Sequence, residues 1–287
     1  MLGETLALTA AATWSFSVIL FKQSEELPPQ GLNLFKNLFS LTLLLLTMWV
    51  FGIEVVWGRP NEDWIRLIVS GVLGLTIGDT LFFMALKRLG PGLLAVMDCL
   101  YAPFVVVLSM FLLGEQISLS FVLGGVFIIG GVLLAVSGGL SVVSGLGWGF
   151  AIAAMAIFVM ALGVVVVKPA LETSHLVEVT TVRLIAGICG QFVWMALFPS
   201  QRNALTALKP NPAWKTLIPA AFLGSYVAML LWLGGFKWAD ASVAAVLNQM
   251  ATIFTIGLAW LMLGESLTKR GLLGAAMAFI GVVVVLV

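Results

Sequence analysis

A handful of ionisable and strongly polar side chains stand inside stretches that are otherwise apolar: Lys36 flanked by Asn33 and Asn37, Asp79 in GLTIGDTLFF, Asp98, Arg183, and Asn248 beside Gln249. Groups of this kind are costly wherever water is excluded, and within a membrane-spanning segment they mark a substrate path or a proton relay by default. Two chemistries are on offer. Lys36 and Arg183 carry positive heads suited to a carboxylate or a phosphate, with snorkelling to the interface as the competing reading. Asp79 and Asp98 carry carboxyls suited to an ammonium group or an exchangeable proton; an ion pair with Lys36 or Arg183 competes for Asp79, and an interhelical hydrogen bond for Asp98. Asn33 lies at i−3 from Lys36 and so extends a polar patch on one helical face. Among the aromatics within spans, Trp14, Tyr101 and Tyr226 are preferred over Trp232 as pocket walls, against packing or an interfacial belt. His175, in a loop beside Glu172 and Glu178, is read as solvated.

The elements that hold these residues follow from composition. Of 287 residues, 61% are hydrophobic and only 9% charged, with a mean hydropathy of +1.15. A bilayer core takes roughly 20 apolar helical residues to cross. Apolar segments of that length run over 3–21, 32–51, 64–86, 92–113, 119–136, 147–167, 176–198, 214–236, 241–263 and 267–287, which predicts ten transmembrane helices. The N-terminal segment lacks the Lys or Arg flank of a cleaved signal peptide and is read as the first span. A net charge of +1 without basic or acidic runs argues against a nucleic-acid partner. Cys99 and Cys189 both fall in apolar runs, which leaves no disulfide framework or CxxC metal site, and no cofactor is expected. Neither HExxH nor GxSxG occurs.

The chain repeats itself. FLLGEQIS at 111–118 returns as LMLGESLT at 261–268, and an offset of 150 also matches Gly74 with Gly224, Lys87 with Lys237, Gly124 with Gly274 and Gly131 with Gly281. The same offset sets Asp98 against Asn248 and Asp79 against Met229; earlier in each half it slips to 147, where Lys36 meets Arg183. The predicted units are residues 1–137 and 147–287, each with five helices, joined by a linker at 138–146. In each LGE hairpin, Gly114 or Gly264 is read as a helix stop, Ser118 as the next N-cap, and Glu115 and Glu265 as interfacial carboxylates. An ion pair of these glutamates with Lys87, Arg88 or Lys269 is the alternative. An odd number of helices per unit inserts the second copy upside down. The expected fold is therefore an all-α integral membrane protein, two inverted five-helix repeats, with the substrate held between them and access alternating from side to side.

The paired stretches MALKRLGPGLLAVMDCLYAPFVVVLSMFLLGEQIS and GGFKWADASVAAVLNQMATIFTIGLAWLMLGESLT, together with the Gly-rich helices after each LGE, resemble the EamA-like drug/metabolite transporter superfamily across essentially the whole chain. The resemblance implies a multi-pass transporter of the cell (inner) membrane for amino acids, amines, drugs, sugar phosphates or nucleotide sugars, with both termini inside the cell. Loop charges point the other way, since Lys22, Lys87, Arg88, Arg202, Lys209, Lys215, Lys269 and Arg270 gather on the face opposite the termini. Pro103 matches the resembled family's fourth helix; Ile253 stands at its repeat position, so a weaker kink is expected in the ninth.

Basic groups on helices two and seven and acidic groups on three and four suit a zwitterion, an amino acid or amine-bearing metabolite, exported with Asp79 or Asp98 coupling a proton. Anionic metabolites, or a channel, are the alternatives. A more distant one is an intramembrane aspartyl protease, because TIGD around Asp79, Asp98 and the PAL at 169–171 echo its elements; Thr76 replaces the first Gly of its motif. The expected partners are a small-molecule substrate and the bilayer.

Overall fold

A computed structural model describes residues 1–116, 119–140, 146–264 and 268–286, and every regular element among them is helical. Helices α1 (Leu2–Lys22) and α2 (Pro29–Phe51) each cross the apolar layer in one piece. The third span is composite: α3 (Asn61–Gly71), a π-helical segment (Val72–Gly78) and the first part of α4 (Asp79–Asp98). The chain reverses at Gly90, whose φ of 75° and ψ of 164° require a residue without Cβ, and Pro91 opens the fourth span, which continues into α5 (Tyr101–Leu113). Helix α6 (Leu119–Leu140) completes the first half. The second half follows the same plan: α7 (Leu146–Thr173), α8 (Leu176–Leu197), α9 (Trp214–Ala220) with a π-helical segment (Ala221–Ala228) and α10 (Met229–Trp238), then α11 (Ala241–Asn248) with α12 (Met250–Leu263), and α13 (Lys269–Leu286). Pro199–Leu208 forms a 3-10 segment between the seventh and eighth spans.

These pieces make ten spans among the described residues, two inverted five-helix repeats, and the repeat extends to their irregularities. Both π-helical segments lie at matching places in spans three and eight, and spans four and nine both break at mid-depth, at Cys99–Leu100 and at Gln249. The ninth span turns tightly at Gln249 without a proline, its backbone staying in the right-handed helical region. Carbonyls beside the breaks are satisfied by neighbouring hydroxyls, as the bilayer requires: Thr252 Oγ1 donates to Ala95 O at 3.0 Å and Ser15 Oγ to Ala251 O at 3.0 Å. Gly114 and Gly264 close their helices at φ of 75° and 68°. Ser118 and Glu265, with residues 141–145 of the linker, lie outside the described residues. Glu115 accepts a hydrogen bond from Ser242 on the face that bears the termini, the opposite end of the bundle from Lys87 and Arg88.

Eight of the ten tryptophans sit near span ends, among them Trp49, Trp57, Trp148 and Trp260, which are largely exposed and face the interfacial zones. Trp14 and Trp232 are the two that do not.

Helices α6 and α13 pack chiefly on each other, at the flank of the bundle. Their backbones meet through glycines: a Cβ on Gly131 would lie 2.5 Å from Gly274 O, and one on Gly281 would lie 2.5 Å from Gly124 O. Small residues at such crossings supply the close packing that membrane helices need in place of a hydrophobic driving force. Gly131→Leu is expected to force the pair apart and cost about 1–3 kcal/mol, seen as a lower thermal midpoint in detergent. Gly125→Leu is the control, because a Cβ there meets nothing within 4 Å. Equal midpoints for the two variants would refute the close-packing account.

Candidate functional site

The interrupted spans converge on a cavity that is partly open to solvent. Repeat-related residues face it from the two halves: Lys36 and Arg183, Gly74 and Gly224, Asp79 and Met229, Phe82 and Trp232, Asp98 and Asn248. The site therefore straddles the pseudo-twofold axis. These positions are paired across the repeat but the charge is not, since both carboxylates come from the first half.

Around Lys36 the polar groups satisfy one another. Lys36 Nζ, 1% exposed, donates to Asp79 Oδ2 at 2.6 Å and to Asn37 Oδ1 at 2.8 Å. Asn37 Nδ2 donates to Asn33 Oδ1, and Asn33 Nδ2 donates to the Leu75 carbonyl at 2.7 Å and to Thr80 Oγ1 at 2.9 Å. Leu75 belongs to the π-helical segment, so the asparagines tie α2 to the irregular backbone that carries the site. Breaking one side of a buried ion pair leaves an uncompensated charge, at a cost of about 3–5 kcal/mol. Lys36→Met is expected to destabilise the protein by that much, and Lys36→Met/Asp79→Leu to recover most of it. Identical thermal midpoints for the single and double variants would show that the two groups are not coupled.

Elsewhere around the cavity, on both halves, groups are left open. Arg183, 2% exposed, spends its Nε on Ser70 Oγ at 2.9 Å, while Nη1 is buried without a partner among the described residues. Ser70 Oγ in turn donates to Gly163 O at 2.5 Å. Asp98 lines the cavity at the end of α4, partly exposed, and forms no hydrogen bond or ion pair among the described residues. The Tyr101 hydroxyl is buried beside the Trp232 side chain, within the fields of both Asp98 and Arg183, and lacks a hydrogen bond of standard geometry among the described residues. Trp14 leans on Phe82 with ring centroids 5.6 Å apart.

Of the sequence candidates, Trp14, Lys36, Asp79, Asp98, Tyr101, Arg183 and Asn248 come together on this one cavity. Asn33 and Asn37 stand behind Lys36, fully buried. Tyr226 points elsewhere, with its hydroxyl 2.6 Å from Thr47 Oγ1, and Gln249 is buried at the break without lining the cavity. Trp232, ranked behind Tyr226 in sequence, faces the cavity, as do Met160, Phe82 and Met229. The signal for Trp232 and Phe82 was the repeat itself, since they are offset by the same 150 residues as Asp98 and Asn248. Glu178, three residues after His175, is fully buried, paired with Arg59 and accepting from Val56 N at 3.0 Å. Cys99 and Cys189 are free thiols.

Comparison with known proteins gives a consistent result. The sequence matches the EamA-like transporter family over residues 1–137 and 147–287. It is 27% identical over 135 residues to an uncharacterized transporter of Clostridium kluyveri and 26% identical over 130 residues to one of Archaeoglobus fulgidus. Those matches cover 47% and 45% of this chain and under half of each relative, 43% and 46%. An uncharacterized transporter of Synechocystis sp. is 23% identical over 98% of this chain and 79% of its own length. A crystal structure superposes with a TM-score of 0.72 over 98% of this chain and 95% of the other, at 17% identity, which speaks to the fold alone.

Proposed function

Because the chain belongs to the EamA-like transporter family, we propose that it is a secondary carrier which exports a small zwitterion, an amino acid or amine-bearing metabolite, across the inner membrane in exchange for a proton. One observation carries this reading: a cavity between the repeats presents an unpaired carboxylate, Asp98, and an unpaired guanidinium edge, Arg183, from opposite halves. An ammonium group suits the first and a carboxylate the second, and bidentate pairing favours arginine for the latter. Coupling follows from exclusion. Asp98 can hold a proton or neutralise an ammonium group, not both, so loading substrate from one side releases a proton to it, and reloading the proton from the other side releases substrate. Inversion of the two five-helix units exchanges which side is open.

The anionic-metabolite reading has less support, because Lys36 is already neutralised by Asp79 and, among the described residues lining the cavity, a phosphate dianion would meet one free cation rather than two. The protease reading needs two carboxyls sharing a proton, whereas Asp79 is held by an ammonium group at 2.6 Å. Counterflow of labelled amino acids and amines in proteoliposomes, with and without a pH gradient, tests the proposal. Saturable exchange, accelerated by the gradient, is the expected result. Ohmic, unsaturable flux would make it a channel, and exchange confined to anions would remove the zwitterion.

A further inference from the structure

In the first half the duplicated unit forms a closed ion pair, Lys36 with Asp79 at 2.6 Å. The repeat images of these residues are Arg183 and Met229, and both face the same cavity. Where one half has a carboxylate, the other has a thioether. Met229 is partly buried and packs against the cluster of Leu44, Leu75, Leu184 and Ile188, of which the last two share a helix with Arg183. Trp232, nearly one turn beyond Met229, has its ring 6.0 Å from the Arg183 guanidinium carbon. Position 229 is thus where a counterion for Arg183 would stand if the second half copied the first. Ser70, which accepts from Arg183 Nε, is an uncharged hydroxyl, and the Asp79 carboxylate, whose field also reaches Arg183, is already paired with Lys36 at 2.6 Å.

A buried guanidinium without a counterion is costly, and the cost is recovered when an anion arrives. We infer that Met229 is a specificity-determining residue: by withholding the carboxylate that its repeat image supplies to Lys36, it reserves Arg183 for the carboxylate of the substrate. The inference rests on the zwitterion reading and names what enforces it. An acid at 229 turns Arg183 into a second closed pair and leaves Asp98 as the sole open charge, which converts a carrier of zwitterions into one of plain amines.

The test compares two probes that differ only in the carboxylate, phenylalanine and phenethylamine, by quenching of the cavity tryptophans in purified full-length protein. The native chain is expected to favour phenylalanine on the order of tenfold or more, as a desolvated charge pair does. Met229→Asp should reverse or erase that ratio, and Met229→Asn, polar but uncharged, should keep it. Should Met229→Asp fail to fold, Met229→Cys in a Cys189→Ser background, treated after folding with a sulfonatoethyl thiosulfonate, places the negative charge on an assembled protein, with a methyl thiosulfonate as the neutral control. An unchanged ratio with the charge in place, or an equal loss from Asn and Asp, overturns the role of Met229 while the zwitterion reading survives. A native protein that binds both probes equally also overturns it. Binding of neither probe removes the zwitterion reading itself.

Discussion

Asp98→Asn is expected to abolish proton-driven transport while leaving a folded protein. The substitution is isosteric, and the second half already carries the amide at the repeat position, Asn248, in the same cavity, so the site tolerates it. Asp98 makes no hydrogen bond or ion pair among the described residues, so no internal network is lost with its charge. The charge itself is the functional quantity. Removing one partner of a buried charge pair costs about 2–5 kcal/mol, which at 1.4 kcal/mol per tenfold is a loss of affinity for an ammonium group of roughly 30-fold to several-thousand-fold. The pH dependence disappears with it, because the proton and the ammonium group no longer compete for one carboxylate. Uptake into proteoliposomes under an imposed pH gradient is the measurement. Gradient-driven accumulation at the native half-saturating concentration would exclude Asp98 from both substrate binding and coupling.

Arg183→Gln is expected to discriminate between substrates instead of silencing them all. Carboxylate-bearing probes should lose about 2–5 kcal/mol of binding, on the order of 30-fold or more, whereas the matching decarboxylated amines should change little. Ser70, which accepts a hydrogen bond from Arg183, remains held through Gly163 O at 2.5 Å, so the packing of the third span against α7 survives. Arg183→Lys should fall between the two, since it restores the charge without the planar fork. The readout is competition by amino acids against amines in counterflow. Parallel loss of both classes would mean that Arg183 acts through structure. Parallel retention would assign the carboxylate to another group, with Lys36 as the next cation in the cavity.

Much of the architecture is legible along the chain, because a bilayer imposes a simple rule on length and polarity. Apolar stretches of span length, an offset of 150 that pairs Gly74 with Gly224 and Asp98 with Asn248, and an odd number of spans per copy are sufficient to infer an inverted duplication. Intramembrane cost also singled out Lys36, Asp79, Asp98 and Arg183 from residue type alone. Which of them are open was not legible. Lys36 and Arg183 look alike in sequence, yet one is closed by Asp79 and Asn37 and the other keeps a free Nη1.

The reason is geometric. In a soluble helix the apolar stripe reveals which side turns inward, but lipid is as apolar as a protein interior, so a membrane helix carries little trace of its own rotation. Tyr226 and Trp232 lie on the same span, and only the packed bundle decides that the first turns to Thr47 and the second to the cavity. The same holds for Glu178, whose partner Arg59 lies 119 residues away in sequence. By itself the sequence determined the spans, their duplication and the side chains too costly to be idle, because those depend on composition and spacing. The tertiary structure alone decided which charges neutralise each other and which face the cavity unpaired, because an ion pair depends on distances of a few ångströms between helices that no local pattern encodes.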